Sequence, residues 1–409
     1  QTCDIDMSGQ NFSSIGTSRN PFSGQYDGGE HRIIGLVING GGLFAAAGKG
    51  VIIRNVILDA TCSVKGNTDK VGGIVGSLDA RNGENAVLNC TNRAEVVSTK
   101  KPGWSSPNAY VGGIVGYVQG QNCDIIDCRN YGNVRTQEAS TFEAAGIVAK
   151  TEGKVINCHN YGNITAPSVQ SGPGAGNGSM AGGIVANGSG LIAACSNCGK
   201  ISAGLKIGGI AARFGSGILE NCFNTGEVEA IATDVSKETF AIGGIAGEFG
   251  GYYLVNCYST GEVSTPSELS EYYIGSVAGR ATSKQTKDMS NNYFIGSAPG
   301  EGIGYGPATV DINEAVTATT AEYLKSEAFL AKLNEHQRPL SLYKVVWAVD
   351  SGNENGGYPL ISDVSKIQSY YAELIKLEVD KKLAPNRMLE GVIEGNDIAI
   401  NLPYGTVTI

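Results

Sequence analysis

The chain has 409 residues with 59 glycines, 41% hydrophobic, 7% aromatic and 17% charged residues, a composition typical of an ordered chain rich in turns. The net charge of −9 argues against nucleic acid as a partner, because nucleic-acid binding needs clustered Lys and Arg. No stretch approaches the roughly 18 apolar residues of a membrane span. The start at Gln1, without a signal peptide, leads us to expect a mature or trimmed segment.

A glycine-rich unit recurs from residue 71 to residue 281. Short β-branched runs bounded by glycine are typical of strands of four or five residues, and no helical pattern separates them. The copies are VGGIVGSL (71–78), VGGIVGYV (111–118), AAGIVAKT (144–151), AGGIVANG (181–188), IGGIAARF (207–214), IGGIAGEF (242–249) and the degenerate IGSVAGRA (274–281).

A second unit follows the glycine unit and centres on a cysteine, as in VINCHNYGNI (155–164). An asparagine stands two residues after the cysteine, and an aliphatic residue six positions after it indicates a third short strand. The cysteines are Cys90, Cys128, Cys158, Cys195, Cys222 and Cys257, and the asparagines are Asn92, Asn130, Asn160, Asn197 and Asn224, with Ser259 in the last copy.

Repetition in register indicates architecture, because a catalytic centre needs its nucleophile once whereas a solenoid needs the same residue in every coil. The shortest coil runs from Gly183 to Gly209, a length that suits a three-sided parallel β-helix with three short strands per coil. We expect the repeat cysteines to be buried, reduced and unligated, since in-register parallel strands suit a disulfide poorly. We expect the asparagines to form an amide ladder at a corner where they and the following glycines tolerate left-handed backbone. Insertions collect at one edge, before the next glycine unit.

The segment IGGIAGEFGGYYLVNCYSTGEV (242–263) resembles the GLUG repeat of bacterial surface and secreted proteins, including some IgA-cleaving peptidases. Residues 21–58 are similar to the entry coil that commonly precedes those repeats. The resemblance covers about residues 20–300 and implies a right-handed parallel β-helix in an adhesin-like protein. It implies no catalytic residues, because the protease of those peptidases lies in another domain.

The sequence changes after residue 300. A capping box of Thr319 and Glu322 predicts a helix over about 320–335, with Leu324, Ala328 and Ala331 on one arc. Residues 345–361 are similar to a segment that often closes such β-helices, and a cap would cover the unpaired sheet edge. We therefore divide the all-β chain into a β-helix (1–300), a C-terminal cap (301–362) and a short β-rich tail (363–409), which would be part of an immunoglobulin-like module.

Neither metal chemistry nor nucleophilic catalysis is favoured by the remaining motifs, and we expect no cofactor. Cys195 and Cys198 form a C-x-x-C pair without the further ligands that zinc needs, so Cys198 is interpreted as a surface thiol or part of a local disulfide. His31, His159 and His336 stand in different modules, so a hydrolase centre lacks its base.

A polysaccharide lyase or glycoside hydrolase of β-helix fold is the alternative function, and it needs carboxylates on one face. Asp124 and Asp127 are candidates, but Asp127 occupies a column that asparagine fills in other coils. Glu95, Glu227 and Glu262 share another column, which we interpret as outward and solvated.

Aromatic residues in the edge insertions are the better binding candidates, although such residues also serve in loop packing. Exposed rings can stack on sugars or anchor protein partners. The predicted ligand-binding residues are Trp104, Tyr110, Lys100, Lys101, Tyr272 and Tyr273. We therefore predict a non-catalytic adhesin-like or scaffold module that binds a glycan or a host, matrix or partner protein through variable edge loops, first of all 97–110. The expected location is extracellular or on the bacterial outer-membrane surface.

Overall fold

The structure is a computed structural model, and its description is limited to part of the chain. It describes residues 1–100, 108–137, 141–167, 179–231, 240–269, 272–282, 286–297, 301–306, 311–338, 341–366, 391–394, 397–402 and 405–408. The chain divides into two compact units, Gln1–Ser365 and Lys366–Ile409.

The first unit is all-β and consists of stacked parallel sheets, which is a parallel β-helix-like fold. One coil, from Asn108 to Thr136, contributes one strand to sheet I, two to sheet II, one to sheet III and one to sheet IV. The neighbouring strands pair in parallel, coil upon coil. The handedness of the coil stays a prediction.

Sheet I has seven strands, and they contain the start of each glycine unit. They are Lys70–Gly72, Asn108–Gly112, Thr141–Ala145, Met180–Gly182, Lys206–Gly208, Ala241–Gly243 and Ile274–Gly275.

Sheet II has sixteen strands in two parallel stacks, which two long strands join. The first stack is Phe44–Ala47, Val75–Asp79, Val115–Gln119, Val148–Thr151, Val185–Ala193, Ala211–Glu220, Ala246–Phe249, Ala278–Ala281 and Ile303–Tyr305. The second stack shares Val185–Ala193 and Ala211–Glu220 and adds Gln25–Asp27, Ile52–Arg54, Asn85–Leu88, Cys123–Ile126, Lys154–Ile156, Tyr253–Val255 and Asp288–Ser290.

Sheets III and IV complete the coil after the cysteine. Sheet III is Ile5–Asp6, Arg32–Ile34, Ile57–Leu58, Thr91–Asn92, Arg129–Asn130, His159–Asn160, Ser196–Asn197, Phe223–Asn224, Tyr258–Ser259, Asn292–Ile295 and Val316–Thr319. Sheet IV is Val37–Ile38, Ser63–Gly66, Glu95–Ser98, Val134–Thr136, Ile164–Ala166, Ile201–Ala203, Val228–Ala230 and Val263–Ser264.

The prediction of three strands per coil is too low. Two corners lie inside the glycine unit and the cysteine unit, whose sequences give no sign of a break between strands. One corner is the second glycine of the glycine unit: a Cβ on Gly113 would lie 2.1 Å from the carbonyl oxygen of Gly146 in the next coil. The other corner is the residue before the cysteine, where Asn157 has a φ of 50° and Asp127 a φ of 58°. The left-handed position therefore precedes the cysteine, and the asparagine after it lies in a strand instead.

The interior shows what the repeated cysteines and asparagines do. All six repeat cysteines are buried, and the Cys158 Sγ lies 3.2 Å from the carbonyl oxygen of Ile156. The structure contains the predicted amide ladder, in which each Nδ2 donates to the Oδ1 of the next coil. The steps Asn92–Asn130, Asn130–Asn160, Asn160–Asn197 and Asn197–Asn224 measure 2.9, 2.8, 2.7 and 2.8 Å. These buried amides are thereby satisfied.

Residues 312–335 contain three short helices, two of which lie in the range of about 320–335 where a single helix is predicted. They are Ile312–Ala315, Ala321–Leu324 and Glu327–Glu335, and a 3-10 turn occupies Ser267–Leu269. Thr320 and Ser326 cap the second and third helices by accepting the backbone N–H of Tyr323 and Phe329. The predicted cap at Thr319 is therefore wrong by one residue.

The second and third helices pack along the side of the coil stack. Leu324, Phe329 and Leu333 are the buried residues of these two helices, so the predicted arc through Ala328 and Ala331 is not the buried one. The third helix and Trp347 meet an outward aromatic column of sheet III, comprising Phe223, Tyr258 and Tyr293. The strand Val316–Thr319 instead forms the last rung of sheet III.

Two further small sheets complete the described chain. Tyr343–Ala348 and Leu360–Lys366 form a two-stranded sheet. In the second unit Gly391–Glu394, Asp397–Leu402 and Gly405–Thr408 form an antiparallel three-stranded sheet. The domain limits and the immunoglobulin-like identity of the tail stay predictions. Within the described residues, every helix is too short or too polar to cross a membrane.

Candidate functional site

The predicted edge-loop residues differ in where they lie and what they contact. Trp104 and Lys101 lie outside the described residues. Lys100 forms an ion pair with Asp69, and its side chain is only 12% exposed. Tyr272 packs edge-on against Phe240 and against the interior. The side chains of Lys100 and Tyr272 therefore already contact other residues of the protein.

Tyr110 and Tyr273, in contrast, lie in one outward column of sheet I. Tyr110 pairs in register with Glu143, and the column continues through Met180 and Lys206. Tyr273 directly precedes Ile274, the register partner of Ile242. Two predicted residues that are distant in sequence thus belong to the same surface.

A second outward column lies in the first stack of sheet II. It faces the sheet I column across the glycine corner. We name the surface between these columns the outer groove. Its sheet I side comprises Lys70, Tyr110, Glu143, Met180, Lys206, Ala241 and Tyr273. Its sheet II side comprises Ser77, Tyr117, Lys150, Asn187, Arg213, Glu248, Arg280 and Tyr305.

Side chains from the two columns touch, so the surface folds inward at this corner. The rings of Tyr110 and Tyr117 have centroids 4.8 Å apart. Lys206 and Glu248 form an ion pair of 2.9 Å across the same corner. Seven rungs at about 4.8 Å make a groove roughly 29 Å long, which suits an extended chain molecule.

One end of the outer groove is an aromatic platform between two lysines. The Lys70 Nζ lies 4.3 Å from the ring centroid of Tyr117, and the Lys150 Nζ lies 5.8 Å from it. Lys150 is also 5.7 Å from the ring of Tyr110. Among the described residues neither lysine has an ion-pair partner. The rings are half-buried, and aromatic rings are suited to stacking on sugars.

The middle of the groove contains a buried carboxyl group. Glu143 is 5% exposed, and its Oε1 accepts a hydrogen bond of 3.2 Å from Asn187. Its Oε2 has no partner among the described residues. Burial raises the pKa of Glu143, an effect that Asn187, Lys150 and Arg213 partly oppose.

The other end repeats the aromatic and cationic arrangement. Tyr273 and Tyr305 have ring centroids 4.9 Å apart, and the Arg280 guanidinium lies 5.3 Å from the first ring. Glu248 lies before this end and binds Lys206 and Arg213 at 2.9 and 3.1 Å. The groove thus carries tyrosine pairs at both ends.

The carboxylates considered for catalysis have structural partners. Asp124 pairs with Lys154 at 2.9 Å, and Asp127 accepts a hydrogen bond of 2.6 Å from Asn157 at the left-handed corner. In the groove, Glu143 and Glu248 lie three rungs apart, about 14 Å, beyond the separation that a glycosidase uses.

The histidine and cysteine of the motif at residues 155–164 are also structural. The His159 ring is buried and contacts the Ser196 hydroxyl at 2.7 Å and the Asn157 side-chain oxygen at 3.1 Å. Burial, together with the charge of Arg129, lowers the pKa of His159 to about 3. In the described part of the chain, no group of three His, Cys, Asp or Glu side chains is placed to hold a metal ion.

Sequence reasoning missed most of the groove, including Tyr117, Lys70, Lys150 and Glu143. A signal was present: the residue before each glycine unit's first aliphatic and the residue seven positions later form the two columns. Residue type changes at nearly every coil, so the columns do not appear as a repeat.

Comparisons with known proteins give little about function. No protein-family model matches the chain, and no curated protein matches it. Among solved structures, the chain is similar to a Bacteroides ovatus protein provisionally described as an immunoglobulin A1 protease. The identity is 18% and the TM-score 0.36, over 88% of this chain and 84% of that chain. This similarity is too distant to indicate an activity, and the GLUG assignment stays a prediction.

Proposed function

We propose that this protein is a non-catalytic β-helix module that binds a glycan in the outer groove. Membership in a secreted or surface-attached bacterial protein, and a GLUG-type right-handed coil, are parts of the same proposal. The observation that carries it is the pair of half-buried tyrosines, Tyr110 and Tyr117, flanked by Lys70 and Lys150. Aromatic faces beside polar side chains are suited to the apolar faces and hydroxyls of a sugar.

The groove takes the place of the edge loops as the main binding surface. In the sequence, strands of sheet I such as Asn108–Gly112 and Met180–Gly182 follow the variable insertions. Trp104 lies outside the described residues, and its contribution to binding stays a prediction. A rigid sheet surface also holds binding groups more accurately than loops do.

Affinity electrophoresis against a panel of neutral and acidic polysaccharides tests this function. Tyr117→Ala is expected to weaken binding by about ten- to hundredfold, the loss of roughly 1–3 kcal/mol that a stacking contact contributes. Tyr252→Ala is the matched control, because Tyr252 is an exposed tyrosine near Lys287 but outside the groove. Equal weakening in both variants, or unchanged binding in Tyr117→Ala, would remove the groove as the site.

Among the residues that the structure describes, the enzyme alternative is favoured only by Glu143, whose pKa is raised by burial as that of a general acid often is. Under this alternative the protein would release products from a bound polysaccharide. Glu143→Gln would then abolish product release while leaving binding intact. A binding module would release no product, so chromatography of a bound polysaccharide after prolonged incubation distinguishes the two functions.

A further inference from the structure

The charge of the outer groove is opposite to that of the whole chain. The chain carries a net charge of −9. The two groove columns hold the cations Lys70, Lys150, Lys206, Arg213 and Arg280 and the carboxylates Glu143 and Glu248. Salt screens exposed charges over about 8 Å, so a ligand in the groove responds mainly to these side chains.

The cations of the groove fall into two groups with different partners. Lys206, Arg213 and Arg280 all lie within 4 Å of the Glu248 carboxylate, so their charge is largely compensated. Lys70 and Lys150 have no ion pair within the described ranges and instead face the Tyr117 ring from neighbouring coils. Among the described residues, the groove lysines without an ion-pair partner therefore lie toward one end of the groove.

A surface hollow adjoins this end of the groove. Lys70, Ser77 and Tyr117 line it, together with Asp79 and Arg81, which form an ion pair with each other. A negatively charged substituent in the hollow would contact the Lys70 ammonium while its sugar ring lies against Tyr117. The hollow thus offers space for a group that Lys70 would attract.

The buried carboxyl group of Glu143 adds a requirement for hydrogen-bond donors. The Oε2 of Glu143 has no partner among the described residues, although Oε1 is satisfied by Asn187. A buried acceptor without a donor is unfavourable, and a sugar hydroxyl at the groove floor would supply one. A polyanion without hydroxyl groups would not.

We propose that the ligand of the outer groove is an anionic polysaccharide whose carboxylate or sulfate group lies between Lys70 and Lys150, with a sugar ring against Tyr117. This inference rests on the proposed glycan-binding function and names the class of glycan. The lysines favour a negatively charged ligand, the tyrosines favour a sugar ring, and Glu143 favours a chain that carries hydroxyl groups.

Matched pairs of polysaccharides test the inference on the full chain. Titration calorimetry is performed with hyaluronan and its carboxyl-reduced derivative, and with dextran sulfate and dextran. The protein is expected to bind at least one anionic member at least tenfold more tightly than its neutral counterpart, with affinity falling as salt rises. The first pair reports a carboxylate preference and the second a sulfate preference.

Charge-neutral variants locate the contact. Lys70→Gln combined with Lys150→Gln is expected to lower affinity for the anionic member at least tenfold while affinity for the neutral member stays the same. Lys287→Gln, which removes a lysine beside Tyr252 outside the groove, is the control and is expected to change neither. The melting temperature of each variant verifies folding.

Three results would overturn the inference. Equal binding of neutral and anionic members that is lost in Tyr117→Ala would contradict the charge selection but leave the glycan-binding function intact. Absence of binding to any polysaccharide, neutral or anionic, would contradict both. Binding of polyglutamate as tight as that of the anionic polysaccharide would show simple ion exchange without recognition of a sugar.

Discussion

The Nε of Arg338 lies 2.7 Å from the Oε2 of Glu220, and their side chains are 9% and 1% exposed. This buried ion pair joins the C-terminal segment, by which we mean residues 321–338 and 341–365, to sheet II of the coil stack. The other carboxylate oxygen of Glu220 accepts a hydrogen bond of 2.6 Å from the Ser341 hydroxyl. Glu220 thus ties two points of the C-terminal segment to the β-helix.

Removal of one partner of this pair should be costly. Arg338→Ala leaves the Glu220 carboxylate buried and uncompensated, and we expect it to lower the free energy of unfolding by about 3–5 kcal/mol. Denaturant unfolding followed by circular dichroism measures the loss. Arg135→Ala is the control, because its pair with Glu95 is about 40% exposed and should contribute at most about 1 kcal/mol. Equal losses in the two variants would mean that the buried pair does not hold the segment.

The glycine corner gives a second prediction about stability. A Cβ on Gly209 would lie 1.9 Å from the Gly244 carbonyl oxygen and 2.4 Å from the Asn224 Cγ. Neither the backbone nor the laddered amide can move freely, so Gly209→Ala should lower stability by about 1–3 kcal/mol or more. In Gly352→Ala, the matched control, the added methyl meets only the Glu354 side chain at 3.4 Å. Similar melting temperatures for both variants would contradict this account of the corner.

The interior could be predicted from the sequence because it repeats. Asn130 and Asn160 recur in register, and their amides bond as that recurrence requires. The outer surface could not be predicted in this way. Tyr110 and Glu143 are neighbours in one column, yet they share neither residue type nor a local motif. Their contacts depend on how far the chain turns at the glycine corner, which spacing in sequence does not specify.

The side packing of the C-terminal segment escaped prediction for a related reason. An open sheet edge predicts a cover, and that cover stays a prediction, whereas the second and third helices pack on an outward apolar column of sheet III. Phe223 and Tyr258 stand where earlier coils have Arg129 and His159. The change from polar to aromatic residues along this column marks where the segment packs.

His159 should make stability depend on pH. Burial lowers the pKa of His159 from an ordinary value of 6.5 to about 3, so between these values only the unfolded chain binds the proton. Its contribution is present in full above pH 6.5 and is lost as pH falls toward 3. We expect the free energy of unfolding of the wild type to fall more steeply than that of His159→Asn over this range. Parallel pH profiles from denaturant titrations would contradict the assignment.

Glu143 should change stability with pH in the opposite direction, because burial raises its pKa above the ordinary value of 4.5. As pH rises above 4.5, the unfolded chain releases the proton more readily than the folded protein, so this group destabilises the fold at neutral pH. Glu143→Gln removes the buried charge and should raise the melting temperature at pH 8, with the gain vanishing near pH 4. Glu227→Gln serves as the control: its carboxylate is exposed and pairs with Lys200 at 3.0 Å, so no gain is expected. If Glu143→Gln lowers the melting temperature equally at both pH values, the carboxylate has a structural partner and is not available to a ligand in the outer groove.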